Sequence, residues 1–367
     1  MDWMNLENAD ELPSPSLVIY EDRAEENIRR MIAMAGGPDR LRPHVKTHKL
    51  PQLIYRQLAL GITKFKCATI AEAEMLALSG ATDILLAVQS VGANAVRFAQ
   101  LINRFAHVQF TTLVDDPGVM QMLGEVAGAA GIEIRLMVDL DVGQHRTGVA
   151  PDPQAAALYR EINDHPDLLA AGLHAYDGHL HQTDVAERAL ACDAAFAPVE
   201  ILRDELIADG LEVPEIVAGG SPTFPMHARR NEVTCSPGTC ILWDAGYAKK
   251  LPDLDFLLAA ALVARVISKA GTNRLSLDLG HKAVASEMLH PRVIFPAIPD
   301  ATAVMHNEEH LVIETALAAT FGVGQVIFGI PWHICPTVAL HSEVWIARDG
   351  AIAEAWPVVG RNRRLSI

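Results

Sequence analysis

The segment RPHVKTHK, residues 42–49, places two histidines, two lysines and an arginine within eight residues of an otherwise acidic chain. Val45 precedes Lys46, and the following KLPQLIYRQLALGI carries apolar residues at helical spacing, which is typical of a strand or loop entering a helix. A lysine among apolar neighbours and other cations holds its proton less tightly, because its charged form is disfavoured, and such an amine can form a Schiff base. We therefore predict that Lys46 is a reactive amine with His44 beside it. The alternative is a lysine that contacts phosphate or solvent.

Histidines cluster in the segment GLHAYDGHLH, which follows a predicted strand. It contains His174, His179 and His181 together with Tyr176, and it comes after VDLDVGQHRTGV, which carries Arg146. One histidine at a strand end is usually structural, but three within eight residues favour a functional site. Imidazole titrates near neutral pH when unperturbed, so His179 or His181 is our candidate for a catalytic base.

Two short loops rich in glycine, serine and threonine occur later in the chain: VAGGSPTFP, residues 217–225, and CSPGTCILWD, residues 235–244. Such loops expose backbone N–H groups and hydroxyls that can bind a phosphate, although either loop alone is more typical of an ordinary turn. Barrel enzymes commonly bind phosphate after their last two strands, where both loops are predicted to lie. A reactive lysine and a phosphate site in one barrel together indicate pyridoxal phosphate (PLP).

A possible metal site is indicated near the C-terminus by PWHICPTVALHS. His333 and Cys335 alternate in a strand-like run, so we expect their side chains to share one face. An imidazole and a thiolate are ligands that suit zinc and similar divalent ions. The alternative is a half-buried histidine beside a buried cysteine, because H-x-C alone is a weak pattern.

These segments require a scaffold that brings them together. From about Ser16 to Pro237, eight predicted strands alternate with helical patterns, and the first of these strands is SLVIY. The alternation favours a (β/α)8 barrel over an open sheet, and no GxGxxG opens a helix after the first strand. After Leu251 the pattern changes to strands separated by turns. We therefore predict an α/β fold with a PLP-binding (β/α)8 barrel over residues 14–250. A β-rich domain over residues 251–367 would carry the metal ligands, and N-terminal residues could pack with it.

Composition excludes several classes of protein. Half of the residues are apolar and 20% are charged, as in ordinary globular domains, and no apolar run approaches the ~20 residues that span a bilayer. The formal net charge of −15 makes nucleic acid and anionic membrane surfaces poor partners. The five cysteines are an odd, scattered set rather than a disulfide framework, and the acidic N-terminus has no signal-peptide pattern. We therefore expect a cytoplasmic protein.

The motifs RPHVKTHK, YDGH, GGSPTFP and PWHICPT together resemble, in this order, those of the D-threonine aldolase and D-serine dehydratase family. The resemblance runs across nearly the whole chain. The family is the metal-dependent branch of the fold-type III, alanine-racemase-like PLP enzymes. The resemblance implies a (β/α)8 barrel with a β domain, a homodimer and a Schiff base on Lys46. It also implies a divalent metal (zinc, manganese or magnesium) near the cofactor.

The resemblance further implies roles for individual residues. Arg146 and Tyr176 would lie near the cofactor ring, while His333 and Cys335 occupy metal-ligand positions. The cofactor phosphate would be bound by Gly219, Gly220, Ser221, Thr223, Gly238 and Thr239. At the metal position the family's aldolases resemble H-x-D and its dehydratases H-x-C. This chain has the cysteine, whereas the PTVAL that follows it is similar to the aldolases.

The resemblance implies a small β-hydroxy-D-amino acid as substrate and leaves two reactions open. A D-threonine aldolase breaks the Cα–Cβ bond to give glycine and an aldehyde. A dehydratase of D-serine or 3-hydroxy-D-aspartate instead loses the α-proton to Lys46 and then hydroxide, giving a 2-oxo acid. We favour the aldolase-type lyase. An amino-acid racemase and a non-catalytic PLP-binding protein are further alternatives, the second opposed by the long segment after Leu251.

Overall fold

The computed structural model describes residues 2–367, which divide into two compact units. The first, here called the β-rich unit, comprises the chain up to Arg30, Thr47–Leu50 and Thr239–Arg361. The second, here called the barrel unit, comprises Met31–Lys46, Pro51–Gly238 and Asn362–Ile367. The first strand of the chain is β1 (Ser16–Tyr20) and the first α-helix is α1 (Glu21–Ala35). No helix within residues 2–367 is long and apolar enough to cross a membrane.

Seven strands of the barrel unit form one parallel sheet in which each strand pairs with the next. They are β2 (Lys64–Cys67), β3 (Asp83–Gln89), β4 (Gln109–Val114), β5 (Ile134–Leu140), β6 (Leu168–Ala175), β7 (Ile216–Ala218) and β8 (Val233–Cys235). The helices of this unit after α1 are α2 (Pro51–Ala59), α3 (Ile70–Leu78), α4 (Ala93–Arg104), α5 (Pro117–Ala130), α6 (Pro153–Asp164), α7 (Val185–Ala208) and α8 (Phe224–His227). Four of them begin where a side-chain oxygen accepts a hydrogen bond from the first helical turn, at Thr69, Asp116, Asp152 and Asp184.

The eighth position of the barrel is taken by the segment that contains RPHVK. Leu41 forms a parallel bridge to β8, and His44 forms a parallel bridge to β2. Pro43 between them has no N–H to donate, which is consistent with isolated bridges in place of a regular strand. The bridges join the two ends of the sheet, and Lys46 follows at the carboxyl end of this eighth position.

The barrel interior is filled by one buried side chain from each of five consecutive strands. This cluster comprises Leu85, Leu113, Met137, Ala171 and Val217. Side chains alternate between the two faces of a strand, so every second residue of β3 to β7 points inward. The layer packs the centre of the barrel with apolar groups.

The β-rich unit is built on a mixed sheet in the order β12-β13-β10-β9-β1-β15-β16, in which β14 pairs with β9 and β11 with β14. Its strands after β1 are β9 (Ala260–Ser268), β10 (Arg274–Leu277), β11 (Val293–Ile294), β12 (Thr302–His306), β13 (Leu311–Glu314), β14 (Val326–Pro331), β15 (Glu343–Arg348) and β16 (Ala351–Pro357). Its α-helices are α9 (Ala245–Lys250) and α10 (Ile334–Leu340). Short 3₁₀ helices occur at Asp2–Met4, Ala9–Glu11, Pro38–Arg40, Thr239–Ile241, Ala318–Thr320 and Val359–Arg361.

The predicted fold class, an α/β barrel with a mostly β second domain, is confirmed. The assignment of SLVIY to the barrel is wrong, because β1 pairs antiparallel with β9 and parallel with β15. All five residues of β1 are buried, and a strand buried on both faces reads the same in a barrel and in the middle of a mixed sheet. The division into a cofactor-binding range of 14–250 and a metal-binding range of 251–367 stays a prediction.

Candidate active site

A cavity of about 440 Å³ lies at the carboxyl ends of the strands of the barrel unit. It is lined by His44, Lys46, Lys66, Ala68, Ala87, Val88, Gln89, Val91, Asp115, Asp139, Arg146, Thr147, His174 and Tyr176. Strand geometry explains several of these positions. Leu113 and Met137 fill the barrel interior, and two residues further along the chain Asp115 and Asp139 reach the cavity.

Four of the predicted site residues line this cavity: His44, Lys46, Arg146 and Tyr176. The ring of Tyr176 is their common neighbour, since its centroid lies 5.7 Å from Lys46 Nζ and 5.1 Å from the guanidinium carbon of Arg146. The face of an aromatic ring attracts cations at such distances. The structure therefore brings the predicted amine, the predicted arginine and the predicted tyrosine into one site.

Lys66, which the sequence analysis missed, is a second lysine in the cavity. It is 2% exposed, and its Nζ lies 5.5 Å from the centroid of the Tyr176 ring. Burial and the nearby charge of Lys46 lower the pKa of Lys66 to about 7, although Asp139 and Asp177 act in the opposite direction. A lysine between apolar residues in the strand KFKC was the signal available in the sequence.

Asp139 and His174 form a buried hydrogen-bonded pair at the cavity wall. The distance from His174 Nδ1 to Asp139 Oδ1 is 2.7 Å, and the Thr147 hydroxyl donates to Asp139 Oδ2 at 2.9 Å. Burial lowers the pKa of His174 despite the carboxylate, whereas the pKa of Asp139 is lowered because its hydrogen bonds outweigh burial. Both lowered pKa values are consistent with a neutral imidazole that donates from Nδ1 to an ionised carboxylate. Nε2 of His174 is buried without a hydrogen-bond partner within residues 2–367.

The predicted phosphate loop follows β7 and approaches Tyr176. Gly219 has a φ of +78°, and a Cβ there would lie 2.6 Å from His227. A Cβ at Gly220 would lie 3.1 Å from the Tyr176 ring, so both positions favour glycine. Ser221 is buried, and its hydroxyl oxygen accepts from Gly238 N–H at 3.4 Å. The structure thus joins the two predicted loops at this point.

A buried polar network holds the loop in place. The Thr223 hydroxyl donates to Asp177 Oδ1 at 2.8 Å, and His227 Nε2 lies 2.9 Å from Asp177 Oδ2. Hydrogen bonds from His227 and Thr223 outweigh burial and lower the pKa of Asp177. Asp177 and His227 were not predicted as site residues, although Asp177 directly follows Tyr176 in the YDGH motif.

Asp177, Cys192 and His227 offer ligand atoms within 4.8 Å of one another, a spacing that a metal ion could use. The chemistry argues against such a site. Arg230 Nη1 lies 3.2 Å from His227 Nδ1, which places a cation beside it, and burial raises the pKa of Cys192 to about 12. A neighbouring guanidinium disfavours a divalent ion, and Asp177 is already hydrogen-bonded to Thr223 and His227, so we interpret this group as the support of the loop.

The two predicted catalytic histidines lie outside the walls of the cavity, among the residues that the structure describes. His181 is exposed. His179 is half-buried, its Nδ1 is buried without a hydrogen-bond partner within residues 2–367, and its ring lies against Gly143. The two candidates therefore differ in burial, since His179 is half-buried and His181 is exposed.

The predicted metal ligands lie in the β-rich unit, but the strand geometry predicted for them is wrong. β14 ends at Pro331, His333 is the N-cap of α10, and Cys335 lies in the first turn of that helix. The two side chains are nevertheless hydrogen-bonded to each other, and His333 Nδ1 also lies 2.5 Å from a carboxylate oxygen of Glu287. The first turn of α10 therefore brings the side chains of His333 and Cys335 together, as the predicted strand was expected to do.

The sulfur of Cys335 lies among polar side chains in this group. Its Sγ lies 3.1 Å from the Thr47 hydroxyl and 3.4 Å from the Thr239 hydroxyl. Burial would raise the pKa of Cys335, but hydrogen bonds from His333 and the two hydroxyls lower it. Burial would lower the pKa of His333, but its interactions with Cys335 and Glu287 raise it to about 9. Thr239, predicted as a phosphate ligand, lies beside Cys335.

Comparisons with known proteins agree with this architecture. Residues 19–244 match the family model described as alanine racemase, N-terminal domain, and residues 259–347 match the putative serine dehydratase domain. The chain is 31% identical to a D-threonine aldolase from an Arthrobacter species, over 95% of this chain and 93% of that protein. It is 27% identical to a D-threo-3-hydroxyaspartate dehydratase from a Delftia species, over 94% of this chain and 97% of that protein.

A solved structure shows the same fold over nearly the whole chain. The crystal structure of D-threonine aldolase from Filomicrobium marinum superposes with a TM-score of 0.89 at 28% identity and covers 96% of both chains. The family predicted from the motifs is confirmed by these matches. The chain is a member of the alanine-racemase-like family that contains the D-threonine aldolases and the D-serine dehydratases.

Proposed function

We propose that the protein is a PLP- and divalent-metal-dependent lyase that splits β-hydroxy-D-amino acids between Cα and Cβ, with D-threonine giving glycine and acetaldehyde. The observation that carries this proposal is the enclosure of Lys46 in one cavity with Lys66, Arg146, Tyr176 and His174. The identity to a D-threonine aldolase over nearly the full length of both chains supports the choice of reaction.

The residues of the barrel unit fit PLP. The cavity offers an amine, the unpartnered acceptor at His174 Nε2, and a loop in which Gly219 and Gly220 leave no room for a side chain. When bound, PLP withdraws electrons from Cα of an amino acid and so stabilises the carbanion that bond cleavage leaves. We propose that Lys46 Nζ holds the cofactor and that Arg146 and Tyr176 lie along its ring.

The phosphate would be bound by backbone N–H groups and hydroxyls of the two joined loops. Gly219, Gly220, Ser221 and Thr223 supply one side and Gly238 the other, with Thr239 following in the chain. Because Asp177 accepts from the Thr223 hydroxyl, it fixes the direction in which that side chain points. A preformed loop of this kind binds a phosphate without the entropic cost of ordering itself.

The group around Cys335 fits a divalent ion, because a thiolate and an imidazole are both good ligands for zinc. We propose that His333 and Cys335 hold this ion, with zinc favoured over manganese or magnesium. The ion would supply Lewis acidity toward a hydroxyl oxygen. Two protein ligands leave further positions free, as a catalytic site requires.

Cleavage between Cα and Cβ also needs an acceptor for the hydroxyl proton. We propose that His179, the half-buried member of the predicted pair, takes this proton. His181, the other predicted base, is exposed and has no comparable support.

A dehydratase is the second candidate, because Cys335 gives this chain the H-x-C ligand pair that resembles the dehydratases. The two reactions differ in their products and are separated by one experiment. Purified protein loaded with PLP is incubated with D-threonine and with D-serine, with and without EDTA. Glycine plus acetaldehyde indicates the aldolase, whereas a 2-oxo acid plus ammonia indicates the dehydratase. Loss of either activity with EDTA and recovery with zinc would support the metal requirement.

Homodimerisation and a cytoplasmic location, both predicted from the sequence, remain part of the proposal. The first is tested by light scattering of the purified protein and the second by fractionation of the cells that produce it.

A further inference from the structure

Lys66 occupies a fixed position at the wall of the cavity. The backbone N–H of Lys66 donates to Pro43 O and its carbonyl accepts from Val45 N–H, both at 2.9 Å. The residue is thus held from the side of the segment that carries Lys46, and its side chain is 2% exposed. A side chain placed in this way is directed by the barrel itself and not by a mobile loop.

The ammonium group of Lys66 has no ion pair or hydrogen bond from its side chain within residues 2–367. The nearby acids are engaged elsewhere: Asp139 accepts from His174 and Thr147, and Asp177 binds His227 and Thr223. The other charges acting on Lys66 are the cations Lys46 and Arg42. Burying an amine among cations, with only the face of the Tyr176 ring as a partner, is unfavourable, which explains why the pKa of Lys66 falls to about 7.

We propose that Lys66 is an anion-binding residue of the active site that pairs with an oxygen anion of the bound reactants. Two sources carry this chemistry, the ring oxygen of PLP and the carboxylate of the substrate amino acid. The inference rests on the proposed function only in taking PLP and an amino acid as the reactants. An anion within hydrogen-bond distance favours the ammonium form of Lys66 and provides a charged partner for it.

The lack of a carboxylate partner among the described residues also distinguishes Lys66 from a lysine with a purely structural role. A structural lysine in a barrel ends in a carboxylate or in solvent, as Lys64 does on the same strand, where its Nζ lies 3.1 Å from Glu215. Lys66 instead faces the space that Lys46, Arg146 and Tyr176 share. Lys64→Met is therefore the matched control for Lys66→Met, and Lys66→Arg is the conservative variant that keeps the charge.

The test compares these three variants with the wild type after loading with PLP. The first measurement is the visible absorption of the loaded protein between pH 6 and 9 without substrate, and the second is the affinity for acetate and D-lactate as simple carboxylates. If the ring oxygen is the partner, Lys66→Met moves the midpoint of the spectral titration by about one pH unit or more, a tenfold change in proton affinity. If the substrate carboxylate is the partner, the spectrum is kept and the carboxylate Kd rises about tenfold or more.

Either result supports the proposal when Lys66→Arg restores most of the property and Lys64→Met leaves it unchanged. Unchanged spectra and unchanged carboxylate affinity in Lys66→Met would overturn it, as would an equal effect in Lys64→Met. If Lys66→Met fails to fold, the proposal is tested on the wild type instead. Its lysines are labelled with acetic anhydride, and the labelled positions are identified by mass spectrometry. Lys66 must be protected by PLP or by PLP with D-lactate, and equal labelling with and without them overturns the proposal.

These readouts do not depend on which reaction the enzyme performs. Wild-type product analysis with D-threonine tests the proposed lyase function separately, so one proposal can fail while the other stands. Borohydride reduction that labels Lys66 in place of Lys46 would overturn the anion-binding role and the assignment of Lys46 together.

Discussion

His174 donates a hydrogen bond from Nδ1 to Asp139 Oδ1 at 2.7 Å, and Nε2 of the same ring meets no partner within residues 2–367. The pair stands at the ends of neighbouring strands, since Asp139 on β5 is directly opposite His174 on β6. Strand register therefore fixes the contact between the two side chains and the direction in which Nε2 points. A catalytic barrel gains an oriented acceptor in this way without using a loop.

The first prediction is that His174 stays neutral over the working range of pH. Burial lowers its pKa below the ordinary value of 6.5, so the ring should carry a proton on Nδ1 alone at neutral pH. Nitrogen NMR of protein labelled at histidine measures both the tautomer and the titration. Titration of His174 near 6.5, or a proton on Nε2, would contradict the prediction.

The lowered pKa values of His174 and Asp139 also predict how the stability of the protein depends on pH. The folded pKa values of His174 and Asp139 both lie below their ordinary values, so the unfolded chain binds protons more readily than the folded one. Their contribution to the free energy of unfolding is present at neutral pH and is lost as the pH falls below 6.5 and then into the carboxyl range. Asp139→Asn should flatten the acid side of this profile, as measured by urea unfolding at several pH values.

The second prediction concerns the lysine that holds the cofactor. Wild-type protein loaded with PLP should be yellow, and borohydride reduction followed by peptide mass spectrometry should label Lys46. Lys46→Ala should be colourless. Lys49→Ala is the control from the same RPHVKTHK segment and should keep the colour, because its side chain bonds to the carbonyl of Gly360 in the β-rich unit. Labelling of Lys49 would refute the assignment.

The third prediction separates the two candidate bases. If His179 takes the hydroxyl proton, His179→Ala should lower kcat by ~10²–10⁴-fold while the visible spectrum of the PLP-loaded protein is kept. His181→Ala should have little effect, because this side chain is exposed. A loss of bound cofactor in His179→Ala would instead indicate a structural role, and a loss of kcat only in His181→Ala would exchange the two assignments.

Sequence patterns predicted the barrel well because its signal is local. Strands that alternate with helices, helix caps such as Asp116 and Asp152, and glycine-rich loops are all readable over a few residues. The position of β1 was not predictable in this way. Its pairing with β9 joins residues separated by more than 200 positions, and nothing in SLVIY distinguishes one sheet from another.

Site residues were predicted where a motif marks them and missed where only three-dimensional contact does. Lys46 and Tyr176 stand in motifs of unusual composition, whereas Lys66 is one lysine in a short strand whose burial depends on closure of the barrel. The pair His333 and Cys335 was predicted as metal ligands from its spacing, and this stays a prediction, whereas the strand geometry assumed for the pair was wrong. Two residues at positions i and i+2 can meet on one face of a strand or at the start of a helix, as they do at His333. The spacing alone does not distinguish the two geometries.

The fourth prediction concerns the stability of the segment that carries Lys46. Arg42 is 2% exposed and pairs with Asp83 at 2.8 Å and with Glu215 at 2.7 Å. Arg42→Met leaves two poorly solvated carboxylates without their cation, which should lower the free energy of unfolding by about 3 kcal/mol or more in urea titrations. Arg160→Met on α6, which breaks exposed ion pairs, is the control and should change little.

The effect of Arg42→Met should depend on pH. Burial raises the pKa of Glu215, but Arg42 and Lys64 outweigh it and hold that pKa below its ordinary value of 4.5. The stabilisation is therefore complete at neutral pH and is lost as the pH falls through the folded pKa. The difference between Arg42→Met and the wild type should shrink in acid, and a constant difference down to about pH 3 would contradict the assignment of this ion pair.

The last prediction decides between the two groups of residues that could hold a metal. The hydrogen bonds of Cys335 to His333 and two threonine hydroxyls lower its pKa, whereas burial raises the pKa of Cys192 to about 12 in a network that contains Arg230. Cys335→Ala should therefore lose zinc, measured by elemental analysis after dialysis, and lose most activity, while Cys192→Ala keeps its zinc.

Cys335→Asp replaces a soft sulfur ligand by a hard oxygen and should move the preference of the site from zinc toward manganese or magnesium. PLP binding should survive in Cys335→Ala, because Lys46 and most of the predicted phosphate ligands belong to the barrel unit. Zinc that leaves with Cys192→Ala and stays with Cys335→Ala would move the metal to the Asp177 group and remove the main reason for proposing metal-assisted cleavage at His333 and Cys335.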